Sequence, residues 1–220
     1  MPWRVGIDEA GYGPNLGPLV MTAVACRVPQ DLVADDLWRV LRPAVRRATS
    51  KGVRRLLVDD SKVVYSTARG IGALETSVLS ILQAATATVP PSVAGLVESL
   101  HPTHELSGEP WYDGATAIPL ATAAEVIAAG AARFRAACAA ADISWTLFRC
   151  VIVCPSRFNA WVEQWGSKGS VLSAGLTQLL NVVQALEPAE PVAVTVDKHG
   201  GRNFYSAALQ EAFPSGWALP

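Results

Sequence analysis

Apolar and polar positions along this chain change period several times, and each change marks an element. Trp3 to Asp8 is short, apolar and β-prone, and Gly11-Tyr12-Gly13-Pro14 stops it. Leu19 to Val28 is a second strand rich in Val, Met, Thr and Ala. A loop too short for a crossover helix joins the two, which predicts an antiparallel pair. Asp31 to Arg47 carries Leu32, Leu37, Val40, Leu41 and Val45 at helical spacing, with arginines largely on another side, so a helix is expected there. Arg54 to Val58 is strand-like, and Ala68 to Ala87 is helical, ending before Pro90-Pro91.

The stretch from about Val89 to Ile118 holds Pro, Gly, His and Trp without a period, and is expected as an excursion from the core. Ala121 to Ala141 is an alanine-rich helix, and Trp145 to Cys154 a strand buried on both faces. Pro155-Ser156 opens another helix with Ser156 as its N-cap. Val171 to Leu186 is a longer helix that Pro188 stops, Pro191 to Asp197 is the clearest strand, and Arg202 to Phe213 is a final helix. A hairpin followed by alternating helices and strands gives an α/β fold with a mixed sheet and flanking helices.

At 220 residues, one domain is the default, and a chain of this size builds a core without metal or disulfide staples. Half of the residues are hydrophobic and 17% are charged, which excludes intrinsic disorder. The net charge of −1 excludes polyanion binding by bulk charge and leaves only local patches. No apolar run approaches the ~20 residues of a membrane helix, and no signal-peptide pattern opens the chain. Cys26, Cys138, Cys150 and Cys154 form no CxxC pair, so buried thiols in a reducing, cytoplasmic setting are expected.

The glycines at Gly11, Gly13 and Gly17 follow a strand but meet prolines and a second strand, not the helix a dinucleotide site needs. The acidic strand end at Asp59-Asp60 has no P-loop partner. Asp8-Glu9 closing the first strand and Asp197 closing the last are different. If those strands are neighbours, three carboxylates meet at one sheet edge, and they repel unless a cation neutralises them. Oxygen ligands suit Mg²⁺ or Mn²⁺ rather than zinc, and such ions commonly serve phosphoryl chemistry.

Gly6-Ile7-Asp8-Glu9-Ala10-Gly11-Tyr12-Gly13-Pro14, followed by Leu16-Gly17-Pro18-Leu19-Val20, resembles the opening signature of the type 2 ribonuclease H family, ribonuclease HII and HIII. Asp60-Ser61-Lys62 matches the family's second motif, Ser156 to Val183 resembles its central helices by position, and Val196-Asp197 resembles its third acidic motif. The resemblance implies a single ribonuclease H-like domain over 1–220 with an inserted segment around 83–141. It implies a hydrolase, an endonuclease that cuts the RNA strand of RNA/DNA hybrids, or ribonucleotides embedded in DNA, with two divalent ions. Asp8, Glu9 and Asp197 would be the metal-ligating catalytic carboxylates. The backbone of Gly11, Tyr12 and Gly13 would read the ribose 2′-OH, because glycines permit close approach and that hydroxyl distinguishes RNA from DNA. Ser61 and Lys62 would touch backbone phosphates, against the plainer reading of an ordinary turn.

Two positions depart from the family pattern. Tyr12 stands where the loop is usually basic, and nothing after Asp197 resembles the segment that carries a fourth carboxylate; Glu211, the one acidic residue there, reads as a surface helix residue. The chain is thus expected either to lack the family's C-terminal part or to be a divergent member with a reduced site, in the extreme a catalytically silent hybrid-binding protein. Another nuclease or transferase on the same sheet is a third option. A monomer is expected. The cations from Arg39 to Arg55 read as a solvated helix face or a phosphate-tracking patch. His101, His104 and Glu105 read as structural rather than metal-binding, and Trp111-Tyr112 as core packing rather than a base-stacking pair.

Overall fold

A computed structural model of the chain describes residues 1–10, 17–50, 52, 54–101, 106, 108–186, 190–198 and 205–213. The chain divides into two units, with boundaries that fall inside two of its strands. The first unit comprises Met1–Ala25, Glu98–Tyr112 and Leu147–Pro220; the second comprises Cys26–Val97 and Asp113–Thr146.

The first unit is built on a mixed four-stranded sheet of β1 (Trp3–Ala10), β2 (Leu19–Arg27), β5 (Ser144–Val153) and β6 (Val192–Val196), in the order β5-β2-β1-β6. Alternation makes β1 a strand: Trp3, Val5 and Ile7 are buried while Gly6 and Asp8 are exposed. In β2, Leu19, Met21, Ala23 and Ala25 are all buried, and the small alanines let a helix lie close. β1 and β6 run parallel, from Trp3 opposite Val192 to Ile7 opposite Val196. This register puts Val5 and Ile7 on the same face as Val194 and Val196, which pack on one core.

That core is closed by α7 (Lys168–Gln184), whose Val171, Leu172, Leu176, Leu179, Leu180 and Val183 repeat at helical spacing and are buried. Gly175 sits on the same stripe because a Cβ there would come 2.5 Å from the sulfur of the fully buried Met21. Ser167 caps α7 by accepting from the backbone N–H of Ser170. α6 (Pro155–Trp165) and α8 (Ser206–Ala212) pack beside it. Cys154, not Ser156, occupies the N-cap of α6: Pro155 at the first helical position presets the turn and shifts the start two residues earlier than expected. β5 is buried only in part, since Ser144 and Thr146 are exposed and it lies at one edge of the sheet.

The second unit has its own core around Val28, Leu41, Val45, Leu56, Phe134 and Ile143. Its main elements are the helices α3 (Gly72–Thr86) and α5 (Ala124–Ala140), packed together. Gly130 is the contact point: a Cβ there would collide with Ser80 and come 2.9 Å from Leu56, so a larger residue would push α5 away. Ser80 donates to the carbonyl of Ile127, and both carboxylate oxygens of Glu75 accept backbone N–H bonds from Leu120 and Ala121, which fixes the approach to α5. α4 (Val93–Leu100) is a helix inside the stretch expected to be irregular.

The helix expected over 31–47 is not continuous. A 3₁₀ turn at Gln30–Leu32 is followed by α1 (Leu37–Val40), capped by Asp36, and then by β3 (Val45–Arg46), which pairs parallel with β4 (Leu56–Leu57). The break before α1 falls at Asp36, whose extended backbone and side-chain cap start a new helix, and Pro43 ends that helix, because it has no N–H to donate and its ring clashes with the preceding turn.

All four cysteines are free and buried. Burial pushes the thiols of Cys138 and Cys154 up to about 11 and raises that of Cys150. Only thiolates react readily with a disulfide reagent. Native protein at pH 8 should therefore react slowly with such a reagent at every cysteine and release the full count only in guanidinium; rapid release of even one equivalent from the native fold would contradict this burial.

Candidate metal centre

The carboxylates of Asp8, Glu9 and Asp197 meet at one end of the β1–β6 pair. Because Ile7 stands opposite Val196, the next residues, Asp8 and Asp197, are level on neighbouring strands that run the same way. Their strands are separated by about 4.8 Å, as in any sheet. The Asp197 N–H donates to the Ile7 carbonyl at 3.0 Å, which carries the pairing past the last residue of β6 and fixes Asp197 in place. Glu9 belongs to the core-facing series of β1 and is half-buried, whereas Asp8 and Asp197 are exposed. One ligand atom from each of the three lies within 4.8 Å of the others.

The electrostatics follow from this crowding. Desolvation pushes the Glu9 carboxyl above its ordinary value, and the charges of Asp8 and Asp197 add to the rise; a bond from its own backbone N–H side opposes it. That N–H donates to Asp8 Oδ1 at 2.7 Å. Three oxygen donors, mutual repulsion and one half-buried member fit a hard divalent cation. Among the described residues, no further carboxylate, histidine or cysteine joins the group. Glu211 is exposed on α8.

Gly11, Tyr12 and Gly13 lie outside the described residues, as do His104 and Glu105. Ser61 and Lys62 belong to the second unit, at the start of the short helix α2 (Ser61–Val64), and both are exposed. Asp60 caps that helix by accepting from the Lys62 N–H at 2.8 Å, and Asp59 accepts from the N–H groups of Ala48 and Asp60. These backbone bonds hold the Asp59 carboxyl below its usual range. The acidic pair here thus has a local structural task, and Ser61 and Lys62 remain at the surface.

His101 is buried, with its Nδ1 2.8 Å from the Cys150 carbonyl, a structural placement. Trp111 is not in the core: it is 46% exposed, its indole N–H donates to Glu109 at 3.0 Å, and Tyr112 meets it edge-on at 6.2 Å. Glu109 also lines a cavity of about 250 Å³ with Leu106, Ile152, Cys154 and Arg157. Ser156 and Trp111 both donate to that carboxylate. Sequence reasoning missed two features: the Glu109 network, which has no periodic signal, and α4, whose Val93, Leu96, Val97 and Leu100 do stand at helical spacing but follow closely on the breakers Pro90-Pro91. No helix of the described residues is long and apolar enough to cross a membrane.

No family model, no curated protein and no solved structure matches the chain.

Proposed function

We propose that this chain is a divalent-metal-dependent endoribonuclease of the ribonuclease H type, cutting the RNA strand of RNA/DNA hybrids or ribonucleotides embedded in DNA. The observation that supports it most is the convergence of Asp8, Glu9 and Asp197 on one sheet edge, at the positions the type 2 motifs assign to metal ligands. Asp8, Glu9 and Asp197 would hold Mg²⁺ or Mn²⁺. A bound divalent ion supplies an activated water and neutralises charge building on the scissile phosphate. The protein's own part is to gather three negative charges whose repulsion a cation relieves, and to hold Asp197 level with Asp8 through the Ile7 carbonyl. By the family resemblance, the backbone of Gly11, Tyr12 and Gly13 recognises the 2′-OH, and Ser61 with Lys62 binds phosphate.

A hybrid-binding protein without turnover is the second reading, favoured by the absence of a fourth ligand among the described residues. The metal dependence distinguishes the two. With three carboxylates, Mg²⁺ suffers more than Mn²⁺, because it demands near-ideal octahedral geometry and surrenders its waters reluctantly. Cleavage of one hybrid, titrated with each ion, should be manganese-favoured and appear only at roughly millimolar metal, as in weak oxygen-ligand sites. Robust turnover at micromolar Mg²⁺ would mean that another residue completes the centre, and Glu211→Gln would be the first variant to make. Hybrid binding without cleavage under either ion would establish the silent reading.

A further inference from the structure

We infer that the arginine-rich ribbon of the second unit is a docking surface for the sugar–phosphate backbone of a nucleic-acid duplex. The choice of partner rests on the nuclease reading above; the surface itself rests on charge and geometry within one unit. Residues 37–58 contain seven Arg and Lys and no Asp or Glu. By sequence, the second unit carries twelve basic and nine acidic residues, and the first carries six and ten. A chain of net charge −1 has thus placed its positive excess in one unit.

The fold concentrates these charges further. A continuous helix would have kept Arg39, Arg42, Arg46 and Arg47 largely on one side, but Pro43 ends that possibility and the chain turns into β3. Parallel pairing of β3 with β4, Val45 opposite Leu56 and Arg46 opposite Leu57, then brings the 42–47 segment beside the 54–55 segment. Arg55 donates to the Arg42 carbonyl at 3.4 Å, so the two segments are joined through their cationic residues. Clustered like charges are costly, and neighbouring carboxylates and carbonyls compensate some of them. Arg39 pairs with Asp35 at 2.7 Å and Arg47 with Asp36 at 3.8 Å. Arg46 bonds to the carbonyls of Arg47 and Ser50. Asp59, the carboxylate at the ribbon's end, is occupied by the backbone N–H groups of Ala48 and Asp60. Arg42 and Arg54 are exposed.

Trp38 gives the surface a fixed edge. Its indole N–H donates to the Val58 carbonyl at 2.8 Å, and the Arg47 guanidinium lies 4.2 Å over its ring. The pair pre-orders one cation, and the indole stays 37% exposed. An anionic membrane is a poorer fit, because the arginines sit on a four-residue helix and two-residue strands, without the long amphipathic helix that enters a headgroup layer.

The test uses the 220-residue chain carrying Asp8→Asn, so that the probe stays intact, and fluorescence anisotropy of a labelled hybrid and of a DNA duplex of equal length across a KCl series. Each phosphate contact contributes about 0.9 to the log–log salt slope on duplex DNA, so adding Arg42→Ser with Arg54→Ser should reduce that slope by about 1.8. Both probes should weaken together, Arg42→Lys with Arg54→Lys should restore the slope, and Arg39→Ser, which removes an already paired cation, should change it less. An unchanged slope in a double Ser variant with a wild-type circular dichroism spectrum would overturn the inference, as would loss of phosphatidylserine-vesicle binding with nucleic-acid binding intact. Wild-type protein that fails to cleave while this slope falls would sink the nuclease reading and leave the docking surface standing; cleavage with an unchanged slope would do the reverse.

Discussion

Asp8→Asn should abolish RNA cleavage without loss of fold. The substitution keeps the shape of the side chain and removes one of three converging negative charges. Loss of one charge-stabilising group costs on the order of 10²–10³-fold in rate in other enzymes, and a metal ligand should cost at least that. The same change has an opposite effect on the metal-free protein. The Glu9 carboxyl is raised by desolvation first and by Asp8 second. A carboxyl raised on folding opposes the folded state: the penalty is absent below the unfolded carboxyl value, grows as pH rises, and is complete above the raised value. Removing the Asp8 charge should lessen it, so metal-free Asp8→Asn should melt at the same temperature as wild type or higher at pH 7–8. Added Mn²⁺ should raise the wild-type Tm and leave the variant's unchanged, since only a cation bound to the native state stabilises it. Near-normal cleavage by a folded Asp8→Asn protein would remove Asp8 from the catalytic centre. An equal Mn²⁺ shift in both proteins would place the ion elsewhere.

Phe134→Ala should carry the largest stability cost among single core truncations in the second unit. Phe134 is 2% exposed on α5, and its ring lies 5.8 Å from that of Trp145 in a core with no other fully buried aromatic among the described residues. Truncating a buried phenylalanine costs about 3–5 kcal/mol, through lost transfer energy and the cavity left behind. In a chain of this length that is a fall of roughly 6–20 °C in Tm, at about 2–4 °C per kcal/mol. The near-UV signal of Trp145 should fall early in the melt, because its ring loses its partner. A loss of under about 1 kcal/mol would show that this core refills the space by collapse.

The elements that the sequence made legible are those with a sustained period and a buried face. β1, β2 and β6 alternate or run apolar between glycine and proline stops, and α3, α5 and α7 keep their stripe for fifteen or more residues. The 31–47 segment has the same apolar spacing, yet the cap at Asp36 and the proline at position 43 outweigh it, and the two-residue strands β3 and β4 are too short to leave any period. α4 begins directly after Pro90-Pro91 and Ser92, where a breaker-rich neighbourhood conceals eight helical residues. At the candidate centre, the acidic ends of two apolar strands at Asp8-Glu9 and Asp197 were legible, but that β1 and β6 are neighbours was only a condition of the reading, because pairing of the first and last strands is a long-range contact that no local pattern records. The partial burial of Glu9 was not legible, since it depends on which face of β1 the core occupies. The surface position of Trp111 was illegible for the same reason: exposure is a property of what lies above a residue, and composition does not record it.

The central claim is metal-dependent cleavage of RNA paired with DNA, and its most direct test is a single incubation series. An RNA/DNA hybrid with labelled RNA, the matching RNA duplex and the matching DNA duplex are each incubated with the protein in chelator, Mg²⁺ or Mn²⁺. Cleavage of the RNA strand in the hybrid alone is predicted, only with a divalent ion, leaving 5′-phosphate and 3′-hydroxyl ends. Cleavage that persists in chelator, or equal cutting of all three substrates, would contradict the account.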